Sequence, residues 1–298
     1  MNESLKYLQP DVVAQLATME LRARLVVEGF ITGLHRSPYH GFSVEFTEHR
    51  QYMPGDEIKH IDWKAYAKTD RFYIKQFEEE TNLKSYILLD ASASMKYGSP
   101  GNLRKIEYAA YLAGALAYLM VEQRDAVGLT IYDEKVRSTL PPRATQSNLR
   151  QLLMELERLN PGRRTGIAGS LHEVAEQIKR RGLVIVLSDF FDDPAQVITA
   201  FKHFRHKGNE LIVMQILDPM ERSFAFGTDA IFQDVESNEE LMTQPWHIQK
   251  AYQESMRDFI ERYKKECREN AIDYVLLDTS TPFDKALMEY LTKRRRLS

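Results

Sequence analysis

After residue 82, short apolar runs alternate with longer segments in which apolar residues recur every three or four positions. The first run, Tyr86 to Leu89, ends at Asp90, and its unbroken apolar character is typical of a strand buried on both faces. The segment from Leu103 to Gln123 has helical periodicity. Strands and helices that alternate in this way predict an α/β fold with a doubly wound, mostly parallel sheet. The later predicted strands are 125–133, 183–189, 210–218 and 274–278, the later predicted helices lie near 148–159, 168–180, 194–206 and 245–270, and residues 219–244 predict an inserted hairpin.

The N-terminal part lacks this alternation of apolar runs and helical segments, so we divide the chain into residues 1–82 and 83–298. Residues 10–34 have apolar positions at helical spacing and predict an amphipathic helix. The segment that follows is aromatic and polar, with a turn at Pro54-Gly55-Asp56, and predicts a small β-rich element. The sequence leaves open whether this N-terminal unit packs on the α/β domain or clamps a partner.

The composition indicates a folded protein, because 43% of the 298 residues are hydrophobic and 28% are charged. The net charge of −3 lacks the basic excess of a protein that binds nucleic acid, so we expect no nucleic-acid partner. The one basic run, 293–296, is interpreted as a solvated helix end. Cys267 is the only cysteine, which excludes an intrachain disulfide and a thiolate zinc cluster.

Two features of the chain predict its compartment. The longest apolar stretch, from Tyr108 to Val121, has 14 residues, whereas a helix that crosses a bilayer needs about 20. The N-terminus has no basic start followed by an apolar run, which a secretory signal would have. We therefore expect no membrane span and a cytoplasmic location.

Residues with oxygen donors follow the predicted strands at the edge where open α/β sheets bind ligands. The first strand ends in Asp90-Ala91-Ser92-Ala93-Ser94, the turn before the helix near residue 168 presents Thr165, and a later strand ends in Asp189. Two carboxylates and three hydroxyls suit Mg²⁺, Mn²⁺ or Ca²⁺ and disfavour zinc. The alternative is that these residues only cap helices and satisfy turns. Their combination and order favour a metal site.

These residues also resemble a known motif. Asp90-x-Ser92-x-Ser94, Thr165 and Asp189 look like the metal-ion-dependent adhesion site (MIDAS) of von Willebrand factor type A domains. The segment from Arg50 to Trp63, RQYMPGDEIKHIDW, resembles the signature of the bacterial family named "domain of unknown function 58".

The resemblance implies a Rossmann-like sheet with a metal at its top, a preceding small β element and a role in binding other proteins. It implies that Ser92, Ser94 and Thr165 ligate the ion directly, and that Asp90 and Asp189 bind it directly or through water. Members of the family are commonly associated with MoxR-type AAA+ ATPases, so it also implies a partner of that class.

Three functions compete at this point. The first is a non-enzymatic interaction module whose divalent ion grips an acidic residue of a partner protein. The second is a Mg²⁺-dependent phosphoryl-transfer or hydrolytic enzyme that uses Asp90 as nucleophile, but Ser92 stands where such phosphatases need a second acid. The third is a scaffold with a vestigial site, against which the full five-residue set argues. The partner, the preferred cation and the oligomeric state are not predicted.

Overall fold

The computed structural model of the chain describes residues 10–14, 17–36, 49–51, 73–75, 83–162, 166–226, 230–233, 240–243 and 245–297. The strands in these ranges are β1 (His49–Gln51), β2 (Tyr73–Lys75), β3 (Lys84–Asp90), β4 (Ala126–Tyr132), β5 (Val136–Arg143), β6 (Leu183–Ser188), β7 (Glu210–Leu217), β8 (Ala230–Gln233), β9 (Glu240–Thr243) and β10 (Asp273–Asp278). The helices are α1 (Pro10–Ala14), α2 (Met19–Arg36), α3 (Lys105–Glu122), α4 (Gln146–Glu157), α5 (Ile167–Gln177), α6 (Pro194–His206), α7 (Pro219–Ser223), α8 (Pro245–Glu269) and α9 (Asp284–Leu297).

The central sheet has six strands in the order β10-β7-β6-β3-β4-β5, and all neighbours except β4 and β5 are parallel. Its inner strands are almost entirely buried because apolar helices cover both faces. One core layer gathers apolar side chains of α2, α3, α4 and α9 against the sheet, and the other gathers those of α5, α6 and α8. The predicted doubly wound α/β fold with a mostly parallel sheet is confirmed.

The outer strand β5 is the element that the sequence pattern missed. It forms an antiparallel pair with β4, and exposed positions alternate along it with half-buried ones. The pairing steps from Arg143 opposite Val127 to Leu140 opposite Leu129, across Pro141 and Pro142. Prolines are tolerated at such an edge. Because of these prolines and the polar residues, the segment contains no apolar run that would predict a strand.

The N-terminal helical segment is two helices rather than the single one predicted. Thr18 lies before α2, and its hydroxyl accepts the backbone N–H of Leu21 at 3.3 Å, so this capping contact begins a new helix. The apolar face of α2 packs on α3, where Gly114 leaves room for Met19 and Ala23. Helix α2 therefore packs on the α/β core of its own chain, which the sequence had left open. The division of the chain at residue 82 stays a prediction.

Two further pairs of strands form separate two-stranded sheets. Strands β8 and β9 pair antiparallel, which confirms the inserted hairpin. Strands β1 and β2 pair antiparallel through His49 and Lys75 at one end and Gln51 and Tyr73 at the other. The predicted turn at 54–56 lies outside the described residues.

The C-terminal basic run is not simply a solvated helix end. Lys293 is only 8% exposed, and its ammonium lies 2.6 Å from a carboxylate oxygen of Glu210 and 3.0 Å from one of Asp273. These acids begin β7 and β10, and α9 lies over them, so Lys293 ties the helix to the sheet. Over the described ranges, every helix is too short or too polar to cross a membrane.

Candidate functional site

The candidate site lies at the carboxyl ends of β3 and β6, two parallel strands that are adjacent in the sheet. From β3 the chain crosses to β4 on one side, and β6 occupies the other side. This reversal makes a switch point, where open α/β sheets bind their ligands. Asp90 is the last residue of β3, and Asp189 directly follows β6.

Asp90 is fully buried, and both of its carboxylate oxygens accept hydrogen bonds. Oδ1 accepts the backbone N–H of Ser92 at 2.7 Å, and Oδ2 accepts the hydroxyl of Ser188. Ser188 in turn accepts the backbone N–H of Phe190 at 2.9 Å. These bonds fix the direction of the carboxylate and tie the loop after β3 to the end of β6.

The hydroxyls of Ser92 and Ser94 form the part of the site that best fits a metal. Ser94 begins a short 3₁₀ helix, Ser94–Lys96, and its hydroxyl is hydrogen-bonded to that of Ser92, with the two oxygens 3.1 Å apart. Two ligands at right angles around Mg²⁺, each about 2.1 Å from the ion, lie about 3.0 Å apart. The two hydroxyls therefore have the separation of neighbouring ligands in an octahedral shell, and all donors here are oxygen atoms.

Thr165 lies outside the described residues, so its place at the site stays a prediction. The described residues on either side of it are both anchored near the site. The backbone N–H of Gly162 donates to the carbonyl oxygen of Ala91 at 2.6 Å, and that of Ile167 donates to Asp192 at 2.8 Å. A side chain at position 162 would come within 2.6 Å of Asp133, so glycine permits this close approach.

Asp189 is engaged by a residue that the sequence did not single out. Its Oδ2 accepts from the Lys105 ammonium at 2.7 Å, and its Oδ1 accepts the backbone N–H of Phe191 at 3.0 Å. The same ammonium lies 2.6 Å from Glu221, and both Lys105 and Asp189 are fully buried. Burial lowers the pKa of Lys105, but the carboxylates of Asp189 and Glu221 outweigh it and hold that pKa above its usual value.

A further buried acid, Asp218, supports the site from the end of β7. Its Oδ2 accepts the backbone N–H of Ser99 at 2.9 Å and the Ser99 hydroxyl at 3.0 Å. Its Oδ1 accepts the backbone N–H of Met220 at 2.8 Å, which caps α7, the helix that carries Glu221. Asp218 therefore joins the loop after β3 to the helix that positions one partner of Lys105.

Asp90 should make the stability of the metal-free protein depend on pH. Burial, and then the neighbouring carboxylate of Asp189, raise the pKa of Asp90 to about 7, whereas an aspartate in an unfolded chain has a pKa of about 4. Between these pH values the folded protein holds a proton that the unfolded chain has lost. The contribution of Asp90 to the free energy of unfolding is therefore complete below about pH 4 and is lost as the pH rises to about 7.

The measurement is denaturant unfolding in EDTA at several pH values from 5 to 8. The Asp90→Asn variant has no proton to lose at this position. As the pH rises, the free energy of unfolding of the native protein should therefore fall relative to that of the variant. Parallel pH curves for the two proteins would contradict the burial argument.

Comparison with known proteins assigns the sequence to a family. The family model described as "Protein of unknown function DUF58" matches residues 48–265. The uncharacterized proteins Mb1516 of Mycobacterium bovis and Rv1480 of Mycobacterium tuberculosis are each 26% identical over 237 residues, which cover 76% of this chain and 72% of each relative.

Among solved structures, the conserved hypothetical protein BatB from Bacteroides thetaiotaomicron has a similar fold. The TM-score is 0.51 at 20% sequence identity, and the match covers 72% of this chain and 99% of that one. At this identity the likeness establishes a shared architecture and says nothing about a shared ligand.

Proposed function

The chain belongs to the DUF58 family, and from that premise we propose that it is a non-enzymatic protein-interaction module that works through a divalent ion. Ser92, Ser94 and Thr165 would hold the ion, and Asp90 and Asp189 would bind it directly or through water. Mg²⁺, Mn²⁺ or Ca²⁺ would supply an open coordination position for an acidic side chain of the partner.

The observation that carries this proposal is the pair of serine hydroxyls 3.1 Å apart, next to buried Asp90 at the switch point of the sheet. Neutral hydroxyl ligands leave an ion more of its positive charge than direct carboxylates do, so the ion attracts one more anion. The described residues on either side of Thr165 add support, because Gly162 is hydrogen-bonded to Ala91 and Ile167 to Asp192.

The competing proposal is an enzyme in which Asp90 attacks a phosphoryl group. A nucleophile must contact the atom that it attacks, whereas an acid that binds an ion through water need not, and Asp90 has no exposed surface and two occupied carboxylate oxygens. Ser92 also stands where such phosphatases have their second acid. Both observations favour binding over catalysis.

We propose that the partner is a MoxR-type AAA+ ATPase. Together with this ATPase, the chain would assemble or activate other proteins in the cytoplasm. This choice rests on the family resemblance. The chemistry at the sheet edge requires only that the partner present an acidic residue.

Replacing one hydroxyl ligand should weaken the partner complex without unfolding the chain. We expect Ser94→Ala or Thr165→Ala to raise the Kd for the MoxR-type ATPase about tenfold or more in Mg²⁺, because the ion loses a ligand. EDTA should have the same effect on the native protein. The measurement is a titration of the purified ATPase, alongside thermal unfolding of each variant.

The matched control is Ser147→Ala, since Ser147 is an exposed serine at the start of α4, away from the site. It should leave both partner binding and stability unchanged. A complex equally tight in EDTA, or insensitive to both site variants, would exclude the oxygen cluster as the contact.

A further inference from the structure

The side chain of Lys105 has no exposed surface, and its ammonium bridges two acids from different parts of the fold. Asp189 follows β6, and Glu221 belongs to α7 after β7, with nitrogen-to-oxygen distances of 2.7 and 2.6 Å. The Lys105 ammonium nitrogen also lies over the ring of Phe191, 4.6 Å from the ring centroid. The charge is thus fixed in place by contacts on several sides.

The position of Lys105 in its helix is an unfavourable one for a cation. It is the first residue of α3, where the helix dipole is positive and acidic residues are preferred. Burial adds a large desolvation cost. Without Asp189 and Glu221 these two effects would disfavour a charged lysine here, so the ammonium and the site acids depend on one another.

We infer that Lys105 is a built-in counter-cation of the proposed metal site, which weakens the binding of the divalent ion and strengthens the binding of the partner's acid. This inference rests on the proposed function. The ammonium already neutralises Asp189, which is one of the groups that would attract the ion. Ion and ammonium have the same sign of charge, so they compete for this carboxylate.

The same positive charge has the opposite effect on the acidic ligand. Removing it makes the site more negative by one charge, both before and after the ion binds. The ion then binds more tightly, but a carboxylate that approaches the loaded site meets less positive charge. Lys105 therefore shifts affinity from the ion to the partner, and a residue with only a structural role would not move the two affinities in opposite directions.

The test uses two probes, Mn²⁺ alone and acetate added to the Mn²⁺-loaded protein. Electron paramagnetic resonance counts free Mn²⁺ and gives its Kd, and water proton relaxation detects acetate at the open coordination position. In Lys105→Met we expect the Kd for Mn²⁺ to fall about tenfold or more and the Kd for acetate to rise about fivefold or more. The melting temperature should also rise more on adding Mn²⁺ than that of the native protein does.

Lys105→Met leaves two buried acids without their cation, so a second variant covers a failure to fold. Lys105→Met combined with Glu221→Gln removes one charge of each sign, and because Asp189 is still released, the Kd for Mn²⁺ should fall here too. Lys202→Met is the control, since Lys202 forms an exposed ion pair with Glu266 on the far helices. It should change neither Kd.

The outcomes separate the two proposals. Unchanged or weaker Mn²⁺ binding in both folded Lys105 variants, with the native protein binding Mn²⁺, overturns the role of Lys105 and leaves the metal site standing. In folded Lys105→Met, tighter Mn²⁺ binding without weaker acetate binding overturns the coupling to the partner's acid. Absence of Mn²⁺ binding in the native protein and in every variant overturns the proposed function and this inference together.

Discussion

Val26→Asp should lower the free energy of unfolding by about 4 kcal/mol or more, the largest loss of stability that we expect from a single substitution. Val26 is fully buried in the core layer formed by α2, α3 and α4. An aspartate there would lose its water without gaining a partner, which is among the most destabilising changes possible in a protein core. Denaturant unfolding measures the effect.

Leu21→Asp is the matched control, because Leu21 is on the same helix but is 48% exposed. Its loss should stay within about 0.5 kcal/mol. Equal, small effects of the two substitutions would mean that α2 does not pack on α3 in solution. That result would favour the alternative in which the N-terminal unit clamps a partner protein.

Asp218→Ala should cost about 3 kcal/mol or more of unfolding free energy. The substitution removes a fully buried carboxylate that accepts bonds from the Ser99 N–H, the Ser99 hydroxyl and the Met220 N–H. Hydrogen bonds to a charged group are worth about 1.5–3 kcal/mol each, and the donors left behind are buried. Thermal and denaturant unfolding with and without Mg²⁺ measure the loss.

A comparison with another helix cap isolates the part due to burial. Asp193 caps α6 by accepting the N–H of Ala195, but this bond is exposed, so Asp193→Ala should cost about 1 kcal/mol. Asp218→Asn keeps one acceptor oxygen and should fall between the two. A loss at position 218 no larger than that at 193 would show that the buried bonds of Asp218 contribute little.

The sequence predicted the fold and part of the site because both depend on local patterns. Buried strands appear as apolar runs, and Asp90, Ser92, Ser94 and Asp189 could be read from the residues that follow those runs. Parallel strands end at one edge, so the structure brings these four residues to the same place. Their role as metal ligands stays a prediction.

The residues that the sequence missed act over long distances along the chain. Lys105 is 84 residues from Asp189 and 116 from Glu221, and no spacing rule connects them. Lys293 looked like part of an ordinary basic helix end, and only the packing of α9 over the sheet shows that it is buried. Pairing of charges across the fold depends on tertiary contacts, which periodicity does not encode.

The two prolines of β5 have a consequence for assembly. On the described part of the chain, β5 and β10 are the outer strands of the central sheet. Pro141 and Pro142 have no N–H to donate, and the pairing of β5 with β4 is irregular at these two residues, so the strand lacks a regular row of hydrogen-bonding groups there. Edge-to-edge growth of the sheet, the common route to strand-swapped dimers and fibrils, is hindered on that side. A filament built by sheet extension would meet this barrier in every copy, since continuous growth must use both edges.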